Sequence, residues 1–264
     1  MNINLHNKRA VVTGSTAGIG LAIARGLAAA GARVVINGRT EARVQAAIAD
    51  IRGTTPQADL SGVASDMATA AGAAALVAQV QDADILVNNV GTGALVPFQD
   101  LTDEHWTSLF ELNVMSSVRL TRHYLPGMVK KGWGRVVFIS SESALNIPSD
   151  MIHYGMTKTA QLAVSRGVAE SVAGTGVTVN AVLPGPTSSE ILANWLEPVA
   201  KEQGKSLEQV QQDFLAANRP TTLIKRFATT QEVANMVVYV CSEQASATSG
   251  AALRVDGGVV RFVA

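Results

Sequence analysis

Tyr154 and Lys158 stand four positions apart in Tyr154-Gly155-Met156-Thr157-Lys158. On a helix that step puts both side chains on one face. A free phenol, with a pKa near 10, exchanges protons poorly at neutral pH. A cation about 5 Å away, at an effective dielectric near 20, favours the phenolate by ~3 kcal/mol, or about two pKa units. Such a pair can move a proton, although the same step recurs by chance in many helices.

A second feature is Thr13-Gly14-Ser15-Thr16-Ala17-Gly18-Ile19-Gly20, between a strand-like run and a helical one. Gly14, Gly18 and Gly20 let the backbone turn tightly and approach a pyrophosphate, and the helix expected next, Leu21–Ala30, offers free N–H groups and a positive dipole end. The spacing departs from G-x-G-x-x-G, and an ordinary glycine-rich turn is the plain alternative. Its position in the first strand–helix unit favours a dinucleotide site. The next strand ends in Asn37-Gly38-Arg39. An NAD site places a carboxylate there for the ribose 2′-hydroxyl. A guanidinium suits a 2′-phosphate and would leave NAD facing an unpaired cation. NADP(H) is therefore the expected cofactor, with NAD(H) second and a solvated surface arginine as the plain alternative.

Seven short apolar runs carry these features: Ala10–Thr13, Arg33–Asn37, Val63–Ser65, Asp84–Asn88, Gly134–Ser140, Val177–Val182 and Ala252–Val255. Most alternate with Ala/Leu-rich helical stretches, among them Asp103–Lys130 and Met151–Ala173. That rhythm predicts an α/β fold of three layers, a doubly wound, Rossmann-like parallel sheet with helices on both faces. With no linker composition, residues 1–264 read as one dinucleotide-binding and catalytic domain. Pro184–Arg226 breaks the rhythm with two helix-like pieces, Ile191–Gln203 and Leu207–Asn218. A long excursion at a strand's carboxyl end lies over the ligand crevice in such folds, so a substrate lid is expected at about 186–226, with a peripheral helical hairpin as the alternative.

Thr13–Gly20, Asn88-Asn89-Val90-Gly91, Asn113, Ser141, Tyr154, Lys158 and Pro184-Gly185 occur together and in order. Jointly they resemble the short-chain dehydrogenase/reductase family, in its single-domain branch of ~250 residues (a domain size within), over nearly the whole chain. The resemblance implies that Tyr154 is the general acid in carbonyl reduction and the general base in alcohol oxidation. It implies that Lys158 lowers the tyrosine pKa and holds the nicotinamide ribose, and that Ser141 steadies the developing alkoxide. Asn113 would hold a water linking Lys158 to solvent. Asp66 would accept from the adenine amino group with Met67 beside it, and Asn89, Val90 and Gly91 would line the adenosine ribose. Beyond Pro184-Gly185, Thr187 and Ser189 would fix the nicotinamide carboxamide. Relatives are usually tetramers built on the two long helices and the last strand, which implies a homotetramer or homodimer.

The sequence departs from the family at Val90, often Ala, and at Ser189, often Thr. At Ala17 many NADP-using relatives, including 3-oxoacyl-carrier-protein reductases, have Arg or Lys. Arg39 is left with hydroxyls such as Ser15 or Thr16 for help. The expected lid is also longer than in those reductases.

Composition excludes other classes. The 264 residues carry 21 Lys plus Arg against 21 Asp plus Glu, with no basic cluster, which argues against a nucleic-acid partner. At 47% hydrophobic and 16% charged, the chain is not of disordered type. Cys241 is alone, excluding an intrachain disulfide, and its apolar setting reads as packing. His6, His105 and His123 are too scattered for a metal site, and none is expected. His153 points about 100° from Tyr154 on a helix and reads as a non-catalytic residue. Glu142 is open between a substrate contact and a solvated loop charge. Without a signal or membrane-spanning stretch, a cytoplasmic, soluble protein is expected. The apolar tail Val259, Val260, Phe262 and Val263 is expected at a subunit contact or on its own core.

The function expected is hydride transfer between a nicotinamide and a ketone/secondary-alcohol pair, on a small carbonyl or alcohol substrate. A 3-oxoacyl-thioester reductase and a non-catalytic nucleotide-sensing protein on the same fold are the alternatives.

Overall fold

Alternate residues of each central strand enter different cores, because successive side chains point to opposite faces of a sheet. Ala10, Val12, Val34, Ile36, Ile85 and Val87 join one apolar cluster, and Val11, Val35 and Leu86 join the other. In this computed structural model, which describes residues 2–263, the elements alternate along the chain. They are β1 (Arg9–Val12), α1 (Gly18–Ala29), β2 (Arg33–Gly38), α2 (Glu41–Thr54), β3 (Leu60–Ala64), α3 (Ala70–Gln79), β4 (Ile85–Asn88), α4 (Asp103–Phe110), α5 (Ser116–Lys131) and β5 (Gly134–Ile139). After these come α6 (Ile152–Ser171), β6 (Val177–Pro184), β7 (Thr187–Ser188), α7 (Glu190–Gln203), α8 (Leu207–Asn218), β8 (Ala228–Thr229), α9 (Thr230–Val240) and β9 (Ala252–Val255).

The seven expected runs form one parallel sheet in the order β3-β2-β1-β4-β5-β6-β9. Helices α1, α2 and α9 cover one face, and α3, α5 and α6 the other. The order reverses between β1 and β4, and a crevice at the strands' carboxyl ends is the general consequence of such a reversal.

Two features depart from the sequence reading, and a third, the tail, divides between the alternatives it left open. The long helix expected over Asp103–Lys130 is α4 and α5 joined by a π turn, Glu111–Met115, which carries Asn113. Such turns favour functional positions because they displace one residue from the regular helix. The apolar run ending in Cys241 forms the end of α9 and its C-cap, a helix that the strand–helix rhythm of the sequence does not predict. Its Thr229–Glu232 capping box closes with hydrogen bonds of 3.1 and 2.8 Å, and Val233, Ala234, Val237 and Val240 bury one helical face. In the tail, Val259 and Val260 are buried in the chain's own fold, whereas Phe262 and Val263 are exposed.

The excursion after β6 follows the expected two pieces as α7 and α8. Leu196, Ala200, Val210, Leu215 and Phe227 give it a small core of its own. Phe214 packs edge-on against Phe227 at 5.8 Å, so it holds the excursion together, while Trp195 is half exposed. Among the described residues no helix is long and apolar enough to cross a membrane.

Candidate active site

The loop after β1 is held open by glycine geometry. Gly14 and Gly18 take φ of 61° and 56°, and a Cβ on Gly20 would lie 2.3 Å from the Gly14 oxygen. Asn89 ties this loop to the end of β4: its Nδ2 donates to Thr13 O and Gly14 O at 2.9 and 3.1 Å. The backbone N–H groups of Asn89 and Val90 both donate to Thr13 Oγ1, at 2.9 and 3.0 Å. Helix α1 starts at Gly18 with no side-chain cap and no acidic residue in its first turn. Its N-terminal N–H groups and dipole are therefore left to attract an anion. The cradle fits a dinucleotide pyrophosphate.

Asn37 serves this loop from beneath. Its Oδ1 accepts from Gly14 N at 3.2 Å, and its Nδ2 donates to Val63 O, Ser65 O and Ser65 Oγ, joining the ends of β1, β2 and β3. Ser15 Oγ is likewise engaged, donating to Val12 O at 2.7 Å and accepting from Asn37 N at 2.9 Å. Thr16 packs over Gly38, the residue before Arg39, its methyl 2.4 Å from where a Gly38 Cβ would stand. Arg39 is exposed and makes no ion pair among the described residues. At the end of β3, Asp66 is exposed and takes Ala68 N at 3.0 Å, and Met67 is buried beneath it.

Across the crevice, β6 ends at Pro184, and Thr187 Oγ1 donates to Gly185 O at 2.9 Å. Ser189 caps α7, its Oγ accepting from Leu192 N at 3.4 Å. A Cβ added to Gly18 would lie 3.5 Å from Ser189 Cβ, so the first loop and the start of the excursion meet.

The proton-transfer candidates gather on α6, β5 and the π turn. Lys158 Nζ is buried, donates to Ile139 O at 2.9 Å and to Gln161 Oε1 at 3.1 Å, and lies 5.7 Å from the Tyr154 ring centre. Gln161 Nε2 donates to the Asn113 carbonyl at 2.7 Å. The Asn113 side chain bonds Thr92 N and Thr92 O, and its Nδ2 donates to Thr157 Oγ1 at 2.9 Å. Gly91 crosses close to this cluster: a Cβ there would lie 3.0 Å from Lys158 Nζ. Ser141 follows β5, and its Oγ accepts from Ser143 N at 3.1 Å.

Burial lowers Lys158 to about 7, because a low-dielectric site disfavours the ammonium. Burial also raises the Tyr154 phenol; a hydrogen bond with Ser141 opposes that, the Glu142 charge adds to it and Arg219 counters it. In the free protein burial is therefore the leading influence on the phenol.

Two further residues take part in the site. Gln161 was not singled out, although three residues beyond Lys158 on a helix is an adjacent position. Arg219, at the end of α8, pairs through Nε with Glu142 Oε1 at 2.7 Å, with both side chains largely buried. Glu142 is therefore not a solvated loop charge. His153 is buried edge-on to Trp106 at 6.2 Å, and Cys241 is buried, its thiol pushed up to about 12.

Residues 8–200 match the family model described as short chain dehydrogenase. The chain belongs to the short-chain dehydrogenase/reductase family. Its oxidoreductases act on CH–OH and C=O groups, and so does this enzyme. It is 44% identical to the uncharacterized oxidoreductase YvrD of Bacillus subtilis (strain 168), over 99% of each chain. It is 35% identical to the D-beta-hydroxybutyrate dehydrogenase of Rhizobium meliloti (strain 1021), over 95% of this chain and 98% of that one. Among solved structures, L-sorbose reductase from Gluconobacter frateurii, complexed with NADPH and L-sorbose, superposes with a TM-score of 0.93 at 34% identity, over 100% of both chains.

Proposed function

We propose that the protein is an NADP(H)-dependent oxidoreductase interconverting a ketone and a secondary alcohol, with Tyr154 as the proton-transfer group. The observation that carries this reading is the meeting of Tyr154, Ser141, Lys158 and Asn113 beside an uncapped helix N-terminus and a glycine cradle. When bound, the nicotinamide supplies or accepts the hydride. In reduction, Tyr154 Oη gives its proton to the carbonyl oxygen while Ser141 Oγ donates a hydrogen bond to the same oxygen. Lys158 stabilises the resulting phenolate and holds a ribose hydroxyl. In oxidation, the phenolate takes the alcohol proton.

The pyrophosphate is assigned to the first loop at Gly14, Gly18, Ile19 and Gly20, and the 2′-phosphate to Arg39 with Thr16. Asp66 and Met67 serve the adenine, Asn89, Val90 and Gly91 the adenosine ribose, and Thr187 and Ser189 the carboxamide. Ser15 and Asn37 act on the cofactor by shaping the loop. A structural neighbour bound to NADPH supports this choice of cofactor. In this reading α7 and α8 form the lid over a small-molecule site, the enzyme is cytoplasmic, and it assembles as a homotetramer or homodimer.

The test is Tyr154→Phe with NADPH and a panel of free ketones. The expected result is a loss of at least ~100-fold in kcat, with NADPH binding retained. Unchanged turnover removes Tyr154 from the chemistry, and NADPH binding by the wild type without turnover of any carbonyl or alcohol would support a sensing role instead.

A further inference from the structure

Proton transfer at Tyr154 leaves Glu142 without an assigned role. The residue follows Ser141, opens the short turn Glu142–Ala144 and is only 3% exposed. A buried carboxylate is costly unless it is paired and its lone pairs are met. Half of this one is met: Oε1 accepts from Arg219 Nε at 2.7 Å and from Ser143 Oγ at 3.3 Å. Oε2 is equally buried and has no hydrogen-bond partner among the described residues. A carboxylate serving only as a strut for Arg219 would be expected to use both oxygens, as bidentate pairs do. Here Arg219 reaches one oxygen through Nε, and its Nη1 turns away to Asn218 O at 2.8 Å.

Glu142 adjoins Ser141 in the chain, and the charges of Glu142 and Arg219 both act on the Tyr154 phenol, in opposite directions. A ligand group meeting Oε2 must donate a hydrogen bond. The acyl portion of a 3-oxoacyl thioester presents only acceptors and C–H groups next to its ketone. A substrate ammonium would meet Arg219 beside the carboxylate, and a substrate carboxylate would meet Glu142 itself. A neutral hydroxyl suits the pair.

We propose that Glu142 is a specificity-determining residue whose Oε2 accepts a hydrogen bond from a substrate hydroxyl near the reacting carbon, so that the substrates are hydroxylated ketones and the corresponding polyols. This rests on the ketone-reductase reading above.

The experiment compares the wild type with Glu142→Gln on matched ketones with NADPH: erythrulose against 2-butanone, and fructose against 2-hexanone. Glutamine keeps the shape and an oxygen for Arg219 but replaces the second acceptor with an amide donor. The expected wild-type preference in kcat/KM for the hydroxylated member is ~100-fold or more, since a site built to bond a hydroxyl rejects the analogue lacking it. In Glu142→Gln that preference falls by ~10-fold or more, chiefly through KM, the difference between a charge-assisted and a neutral hydrogen bond. Glu142→Asp, which withdraws the carboxylate by one methylene, gives the same direction if the glutamine variant folds poorly. Equal losses on both members of a pair would mean that Glu142 only latches the excursion, and would overturn the proposal. Equal wild-type rates on both members, or turnover confined to a 3-oxoacyl thioester, would overturn it and leave the enzyme a carbonyl reductase. Bound NADPH with no carbonyl reduced at all would remove the functional reading itself, and this inference with it.

Discussion

Lys158 and Gln161 are joined side chain to side chain: Nζ donates to Oε1 at 3.1 Å, and Gln161 Nε2 donates onward to the Asn113 carbonyl at 2.7 Å. The family resemblance implies a water linking Lys158 to solvent at Asn113. In this chain an amide bridges the two, fixing the lysine against the π turn. The acceptor also favours the charged ammonium, and only the charged lysine favours a phenolate at Tyr154. Gln161→Leu should therefore lower the Lys158 pKa further and move the pH profile of alcohol oxidation toward alkaline, by at most the one to two pH units to which a hydrogen bond of about 1.5–3 kcal/mol to a charged group corresponds. Steady-state rates from pH 6 to 10 check this. A profile that overlays the wild type would reduce Gln161 to packing.

Lys158 also makes the stability of the free protein depend on pH. Its folded pKa of about 7 lies below the ordinary value of 10.5, so between these the unfolded chain holds the extra proton. Stability therefore rises with pH across that window, by up to about 1.4 kcal/mol per pH unit. Cys241 and Tyr154 have raised values and act oppositely as their unfolded forms ionise, the thiol from about pH 8 and the phenol from about pH 9, but both groups are common to the wild type and Lys158→Met and cancel in the comparison. Urea unfolding without cofactor at pH 7, 8 and 9 should show the wild type gaining about 2 kcal/mol relative to Lys158→Met. Parallel pH dependences would mean that the buried amine does not titrate in this range.

Arg39 is exposed and free of ion pairs among the described residues, so its removal costs the fold little. Arg39→Ala should weaken NADPH by roughly 1.5–3 kcal/mol, the range for a hydrogen bond to a charged group, and leave NADH nearly unaffected. Fluorescence titration of both cofactors measures the difference. Equal losses for NADPH and NADH would remove the 2′-phosphate from Arg39.

The sheet was legible because each strand is a short β-branched run between turn residues, a local signal. Tyr154, Lys158 and the glycine loop were legible for the same reason. Helix α9 was not, since Val237, Val238 and Val240 resemble a strand, and burial against α1 together with a capping box at Thr229 decides the outcome. The π turn has no spacing signature, because it depends on Asn113 bonding to Thr92 and Thr157, from two other segments. Arg219 was hidden by distance along the chain, 77 positions from Glu142. What the sequence left open, above all the surroundings of Ser141, is what long-range closure of the excursion decides.

Gly20 links the fold to the cofactor most directly. A Cβ there would stand 2.3 Å from Gly14 O and 2.5 Å from Asn89 Nδ2. Neither can retreat easily: Gly14 N is held by Asn37, and Asn89 Nδ2 donates to both Thr13 O and Gly14 O. The loop must therefore deform, at a cost of about 1–3 kcal/mol as in other overpacked sites. The deformation falls where the pyrophosphate is expected, so Gly20→Ala should weaken NADPH at least ~10-fold as well as lowering the unfolding midpoint. Gly53 is the control, since a Cβ there, near the end of α2, meets nothing within 4 Å. Gly53→Ala should raise stability by about 0.4–1 kcal/mol through the unfolded chain and leave the cofactor alone. Thermal unfolding and NADPH titration on both variants separate the two effects. A Gly20→Ala protein that is destabilised yet binds NADPH like the wild type would mean that this loop does not carry the pyrophosphate.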